Sequence, residues 1–153
     1  MALYPDDILA DVDCVVALSL NEGGGGYAYD QSGHNHHAEL GESGVGVPDW
    51  KTTGRYGNCL EFDGVNQRCA IPSTSLLNFG DAVADVPFSV EAWVAPGVGG
   101  TRSRDIISKF TEGGPYEWNL AFNNQNVPLF TLFDNDLGAY MYANLGNVSS
   151  HEG

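Results

Sequence analysis

The densest set of chemistry-bearing side chains lies between Glu22 and His37. Asp30, Ser32 and Asn35 share one bend, Asp30-Gln-Ser-Gly33-His-Asn35, built from residue types that favour tight backbone turns. Carboxylate, hydroxyl and amide oxygens gathered on a bend are what calcium takes as ligands. Glu22 could join them if the preceding strand ends nearby. The expected cofactor is therefore calcium, held by Glu22, Asp30, Ser32 and Asn35. A tight Asx turn without metal is the competing expectation. His34, His36 and His37 stand beside this bend, and imidazoles at that spacing suit zinc. The plainer expectation is an exposed turn with its histidines in solvent.

A second set could bind a ligand face-on. Phe88-Ser-Val-Glu-Ala-Trp-Val-Ala-Pro96 alternates with period two, which predicts a strand. Phe88, Val90 and Val94 take one face, and Glu91 and Trp93 take the other. Glu117 and Asn119 share a face of a later alternating run, and Tyr140 lies on the last one. Aromatic rings offer an apolar surface to a sugar, while carboxylates and amides bond its hydroxyls. Glu91, Trp93, Glu117, Asn119 and Tyr140 are accordingly the expected ligand-binding residues. For Trp93 the alternative is simple packing beneath a loop. For Tyr140 and Tyr142 it is cross-strand pairing.

The elements that must position these residues read as strands. Cys14–Leu20 is the first, ended by Asn21, Glu22 and Gly23–Gly26. Tyr27–Tyr29 and His36–Leu40 are short extended pieces. Residues 41–57 read as a loop anchored by Trp50 and Tyr56. Asn58–Asp63 and Gln67–Ile71 read as a hairpin about Gly64-Val-Asn66, with Leu60, Phe62, Cys69 and Ile71 inward. Ser73–Phe79 holds at most one helical turn around Leu76 and Leu77. Phe88–Pro96, Ile106–Lys109, Tyr116–Phe122, Val127–Phe133 and Tyr140–Leu145 complete the set, with Asn123–Asn126 as a turn. No run has helical periodicity of useful length.

At 153 residues the chain suits one domain with a real core. A net charge of −14 with only 6 Lys and Arg disfavours nucleic acid, whose phosphates require basic partners. An anionic membrane surface is disfavoured for the same reason. The opening residues carry neither a basic segment nor a long apolar run, so no signal peptide is expected there. Three cysteines, an odd number, point to free thiols, with a Cys59–Cys69 bridge as the alternative.

The series Leu18-Ser-Leu-Asn-Glu-Gly, Tyr29-Asp-Gln-Ser-Gly, Leu60-Glu-Phe-Asp-Gly, Phe88-Ser-Val-Glu-Ala-Trp-Val, Ile106-Ile-Ser-Lys and Tyr116-Glu-Trp-Asn-Leu resembles the laminin G-like, concanavalin A-like domains. The resemblance runs over about residues 14–145. It implies an all-β, two-sheet antiparallel jelly-roll sandwich over 14–153, after a lead-in of residues 1–13. It also implies glycan or protein binding, often with a structural calcium. The family's closing strands have no counterpart before Gly153, so an incomplete sandwich is expected, with a homo-oligomer or a strand-completing partner. Related glycosidases carry Glu-x-Asp-x-x-Glu on one strand, because retaining hydrolysis needs two carboxyl groups about 5 Å apart. Here Glu61-Phe-Asp63-Gly-Val-Asn66 ends in an amide and is broken by Gly64. Nor is there a Gly-x-Ser-x-Gly, a P-loop or a Cys-x-x-Cys, so no enzyme is expected. These features predict a non-catalytic, lectin-like module for a glycan or cell-surface polymer, outside the cell or on a virion. The alternative is a structural or interaction protein of a phage particle or similar assembly.

Overall fold

Short alternating runs separated by glycine, asparagine and proline can form ladders but cannot sustain a helix. The chain is accordingly all-β, and every pair of neighbouring strands is antiparallel. The computed structural model describes residues 13–41, 45–79, 86–97, 104–110, 116–134 and 139–144. The chain forms two compact units, Met1–Phe88 and Ser89–Gly153.

The first unit holds β1 (Tyr27–Ala28), β2 (Ala38–Leu40), β3 (Asp49–Gly54), β4 (Gly57–Glu61) and β5 (Cys69–Ala70). One sheet runs β1-β2-β5, and β3-β4 is a separate hairpin. Ala28, Ala38 and Leu40 are buried at the centre. Leu18, Leu20, Trp50, Leu60, Cys69 and Ile71 pack around them. Trp50 sits opposite Leu60 in the hairpin ladder, so one cross-strand pair covers the small side chains of the other sheet. Trp50 Nε1 also donates to Gly25 O at 3.0 Å, which ties the hairpin to the glycine run. A single 3-10 turn, Ser75–Leu77, is capped by Thr74. The expected turn about Leu76 and Leu77 is this one.

The second unit holds β6 (Arg104–Phe110), β7 (Tyr116–Phe122), β8 (Pro128–Asp134) and β9 (Ala139–Asn144), in sequential order in one sheet. Trp118, Ala121 and Phe122 are its buried residues. The turn between β7 and β8 is closed by Asn123, whose side chain accepts from Gln125 N and Val127 N at 2.9 Å each. Asn126, at φ 61, completes it in the left-handed region that asparagine tolerates.

Five expectations require correction. Phe88–Pro96 forms no strand and pairs with none among the described residues. Alternation fixes which way side chains point, whereas a strand also needs ladder bonds, and Pro87 and Pro96 have no N–H to give. Phe88 stacks on Phe79, with centroids 4.1 Å apart, while every residue from Glu91 to Gly97 is exposed. Cys14–Leu20 is likewise no strand beyond a single bridge from Leu18 to Asp30. Side chains occupy the backbone groups that a ladder there would need.

The hairpin expected over 58–71 does not form. β4 pairs with β3, and β5 pairs with β2. Asp63 Oδ1 accepts from the N–H groups of Val65, Asn66 and Gln67, and Asp63 N donates to Gln67 Oε1. The turn therefore closes on itself and does not launch a ladder. Phe62, one residue past β4, is exposed, contrary to its expected inward position. Residues 49–54, read as loop, supply β3.

The cysteines Cys14, Cys59 and Cys69 are free thiols. Burial pushes the Cys69 thiol up from its ordinary range. Among the described residues no helix is long and apolar enough to cross a membrane.

Candidate functional site

The bridge between Leu18 and Asp30 draws residues 15–22 against residues 29–32. Alternation then sorts the side chains. Leu18 and Leu20 enter the core, so Ser19 between them turns outward. Asp30 turns inward and is only 8% exposed. Its neighbours Tyr29 and Gln31 are exposed on the opposite side.

Asp30 is the hub of the inner side. Its Oδ1 accepts from Ala17 N and Ser32 N, each at 2.9 Å. Its Oδ2 lies 2.9 Å from His36 N and 2.8 Å from Ser32 Oγ. Burial alone would raise the Asp30 carboxyl. The bonds from Ala17, Ser32 and His36 N–H and the Ser32 hydroxyl outweigh it and hold the group at about 2. Ser32 Oγ also lies 3.0 Å from Val15 O, but its single proton goes to the closer Asp30 Oδ2. His36 Nδ1 donates to the same carbonyl at 3.0 Å, and His37 Nδ1 accepts from Asp30 N at 3.0 Å. Only His34 of the three histidines is exposed; His36 and His37 are half-buried structural groups. The expectation of three solvent histidines is corrected accordingly: backbone groups of a strandless segment needed side-chain partners.

This arrangement does not fit the calcium ligand set expected from the bend. Both Asp30 oxygens already take two donors each, which uses the lone pairs a cation would need. Glu22 Oε1 accepts from Tyr29 N at 2.7 Å and so is tied to the outer side. Asn35, at φ 60, serves the turn through its backbone. Among the described residues no three histidine, cysteine, aspartate or glutamate side chains converge as a metal would require.

On the outer side Ser19, Asn21, Glu22, Tyr29 and Gln31 line an open cleft of about 340 Å³. Gln31 Nε2 donates to Ser19 Oγ at 2.9 Å across it. Asn21 is latched to Asn58 by two bonds: Asn58 N donates to Asn21 Oδ1 at 2.8 Å, and Asn58 Nδ2 donates to Asn21 O at 2.9 Å. Two glycines make room for the latch. A Cβ on Gly57 would stand 2.5 Å from Asn21 Oδ1, and one on Gly23 would stand 2.6 Å from Asn58 Nδ2. Leu20, between Ser19 and Asn21, is held at φ 53, a strained conformation for a branched side chain. Its packing in the core and the asparagine latch keep it there. Glu22 Oε2 is shielded and has no hydrogen-bond partner among the described residues. Tyr29 is 53% exposed, its ring 6.4 Å from that of Tyr27 and edge-on to His37 at 5.1 Å.

The residues singled out for face-on binding are placed differently. Glu91 and Trp93 lie on the exposed, unladdered segment. Glu117 and Asn119 do share a face of β7. Glu117 pairs with Lys109 at 2.9 Å, and Asn119 Nδ2 donates to Asp105 Oδ1 at 3.1 Å. Tyr140 is 64% exposed on β9, with its ring 6.3 Å from Phe133. Of the residues expected to bind a metal or a ligand, only Glu22 lines the cleft. Ser19, Asn21, Tyr29 and Gln31 were missed. Their signal was the pair of alternations Leu18-Ser-Leu20 and Tyr29-Asp-Gln31, which put polar and aromatic side chains opposite inward ones. No protein-family model, curated protein or solved structure matches the chain. What defines the protein is therefore its own geometry: an all-β chain with an aromatic, polar cleft beside a buried carboxylate hub.

Proposed function

We propose that this chain is a non-catalytic, lectin-like module that binds a glycan or cell-surface polymer, built on a concanavalin A-like jelly roll spanning 14–153. The observation that carries the reading is the cleft at Ser19, Asn21, Glu22, Tyr29 and Gln31. It joins an exposed ring to hydroxyl, amide and carboxylate groups, the combination that suits a ligand with an apolar ring face and a rim of hydroxyls. Among the described residues it holds one carboxylate, whereas glycoside cleavage needs two. Glu91, Trp93, Glu117, Asn119 and Tyr140, all in the second unit, remain a separate set of proposed ligand contacts. A glycan array probed with the chain tests the reading: binding to at least one glycan is expected, and silence across neutral and acidic glycans overturns it.

A second reading, a structural or interaction protein of a phage particle or similar assembly, rests on β9. That strand has a neighbour on one side only among the described residues, and Tyr140 and Met141 on it are 64% and 71% exposed. Exposed strand edges pair readily with other chains. Sedimentation velocity distinguishes the two: a concentration-independent monomer counts against assembly.

A further inference from the structure

The cleft also says what kind of ligand it takes. Resting on the glycan-binding reading, we infer that it holds one neutral sugar ring, directly and without a calcium bridge. Size sets the first limit. The recess is open, with about 340 Å³ along its walls. That admits one six-membered ring with its hydroxyls and leaves the rest of any chain in solvent.

Hydrogen-bond chemistry sets the second limit. Asn21 commits its Oδ1 to Asn58, and among the described residues nothing accepts from its Nδ2. Gln31 commits its Nε2 to Ser19, and among the described residues nothing donates to its Oε1. Glu22 commits one oxygen to Tyr29 N and leaves Oε2 with no donor. The walls thus offer an amide donor at Asn21 beside an amide acceptor at Gln31, while Glu22 Oε2 lies shielded behind them. Sugar hydroxyls both donate and accept, and so can meet each of these in turn. A hydroxyl that opens the wall at Glu22 supplies the donor which Oε2 lacks.

Charge sets the third limit. Among the described residues Glu22 is the one ionisable group in the cleft besides the Tyr29 phenol, and the chain carries −14 overall. A uronic or sialic acid would meet repulsion without a cation to offset it. The oxygens that a bridging calcium would need at this bend are the Asp30 pair, and the Ala17, Ser32 and His36 donors already occupy them. Tyr29 supplies the platform. Its ring is exposed, and the edge-on contact with His37 holds it in place, so little side-chain freedom is lost on binding.

The test titrates the full chain with methyl glycosides of glucose, galactose, mannose and N-acetylglucosamine, and with glucuronate and N-acetylneuraminate. Each titration is followed by calorimetry and ligand-observed NMR, in EDTA and in calcium. We expect a neutral glycoside to bind equally in both buffers. Tyr29→Ala should weaken it about tenfold or more, and Gln31→Ala about threefold. Gln31 is exposed, so its variant remains informative if the tyrosine change disturbs folding. Binding that both variants leave untouched overturns the site while the glycan-binding reading stands. Binding abolished by EDTA, or confined to the acidic sugars, overturns the inference in the same way. No binding to any of these sugars, with a silent glycan array, overturns both.

Discussion

Residues 15–37 and the sheet β6–β9 satisfy their backbone polar groups by opposite means. In the sheet, N–H and C=O groups meet in ladders, and side chains are left to pack or face solvent. In residues 15–37, outside the two-residue β1, side chains do much of the pairing: Asp30, Ser32, His36 and His37 each hold a backbone group. A ladder spreads its stabilisation over many similar bonds, so losing one costs little. A hub concentrates it, so one residue decides whether the region is ordered. The hub also frees Tyr29 and Gln31, the neighbours of Asp30, to form a cleft wall. A regular strand offers no such recess.

The sharpest way to break the contrast is Asp30→Ala. It strips the acceptor from three N–H groups and a hydroxyl, at a cost of about 4 kcal/mol. Amide exchange should accelerate through residues 15–37 and leave β7 and β8 protected. Equal loss in both regions would refute the idea of a local hub. The mirror experiment is Phe122→Ala, which empties a buried site in the second unit. It should cost about 3 kcal/mol and expose β7 and β8 while the protection of Ala17, Ser32 and His36 persists.

Acid probes the hub without mutation. The folded Asp30 carboxyl sits at about 2, below the ordinary 3.8. Its contribution is therefore present above pH ~4 and is lost as pH falls through ~2. Urea midpoints at these two pH values should show a loss of about 2 kcal/mol that is reduced in Asp30→Asn. A smaller effect is expected at Gly57→Ala. The residue has φ 128, and its new Cβ would press on Asn21 Oδ1. A stability loss of about 1–2 kcal/mol should accompany weakened ligand binding, because Asn21 must shift. Smallest of all, Lys109→Met breaks one ion pair with Glu117. Thermal melting should register less than about 1 kcal/mol, as for other partly exposed pairs.

Much of the strand content was legible because period-two alternation depends only on side-chain order. Tyr116–Phe122 is β7 with the same bounds, and β6, β8 and β9 begin or end within two residues of their expected positions. The turn at Asn123–Asn126 was legible for the same local reason. Phe88–Pro96 shows the limit: its alternation is as clean as that of β7, but among the described residues no strand pairs with it. The Asn58–Ile71 hairpin failed in the same way, since a turn motif fixes the bend and not the partner. At the candidate site, the bend and its oxygen-rich residues were legible, but the destination of those oxygens was not.

By itself the sequence determined an acidic all-β chain, its free thiols, its turns and the tight bend at Asp30. Each follows from composition or from contacts a few residues apart. Tertiary structure alone decided that β4 pairs with β3 and β5 with β2, and that Asn58 latches Asn21 across 37 positions. It also decided that Asp30 spends its oxygens on Ala17, Ser32 and His36. Pairing over such separations depends on which backbone groups remain unsatisfied once the chain has collapsed, and that is a property of the whole fold.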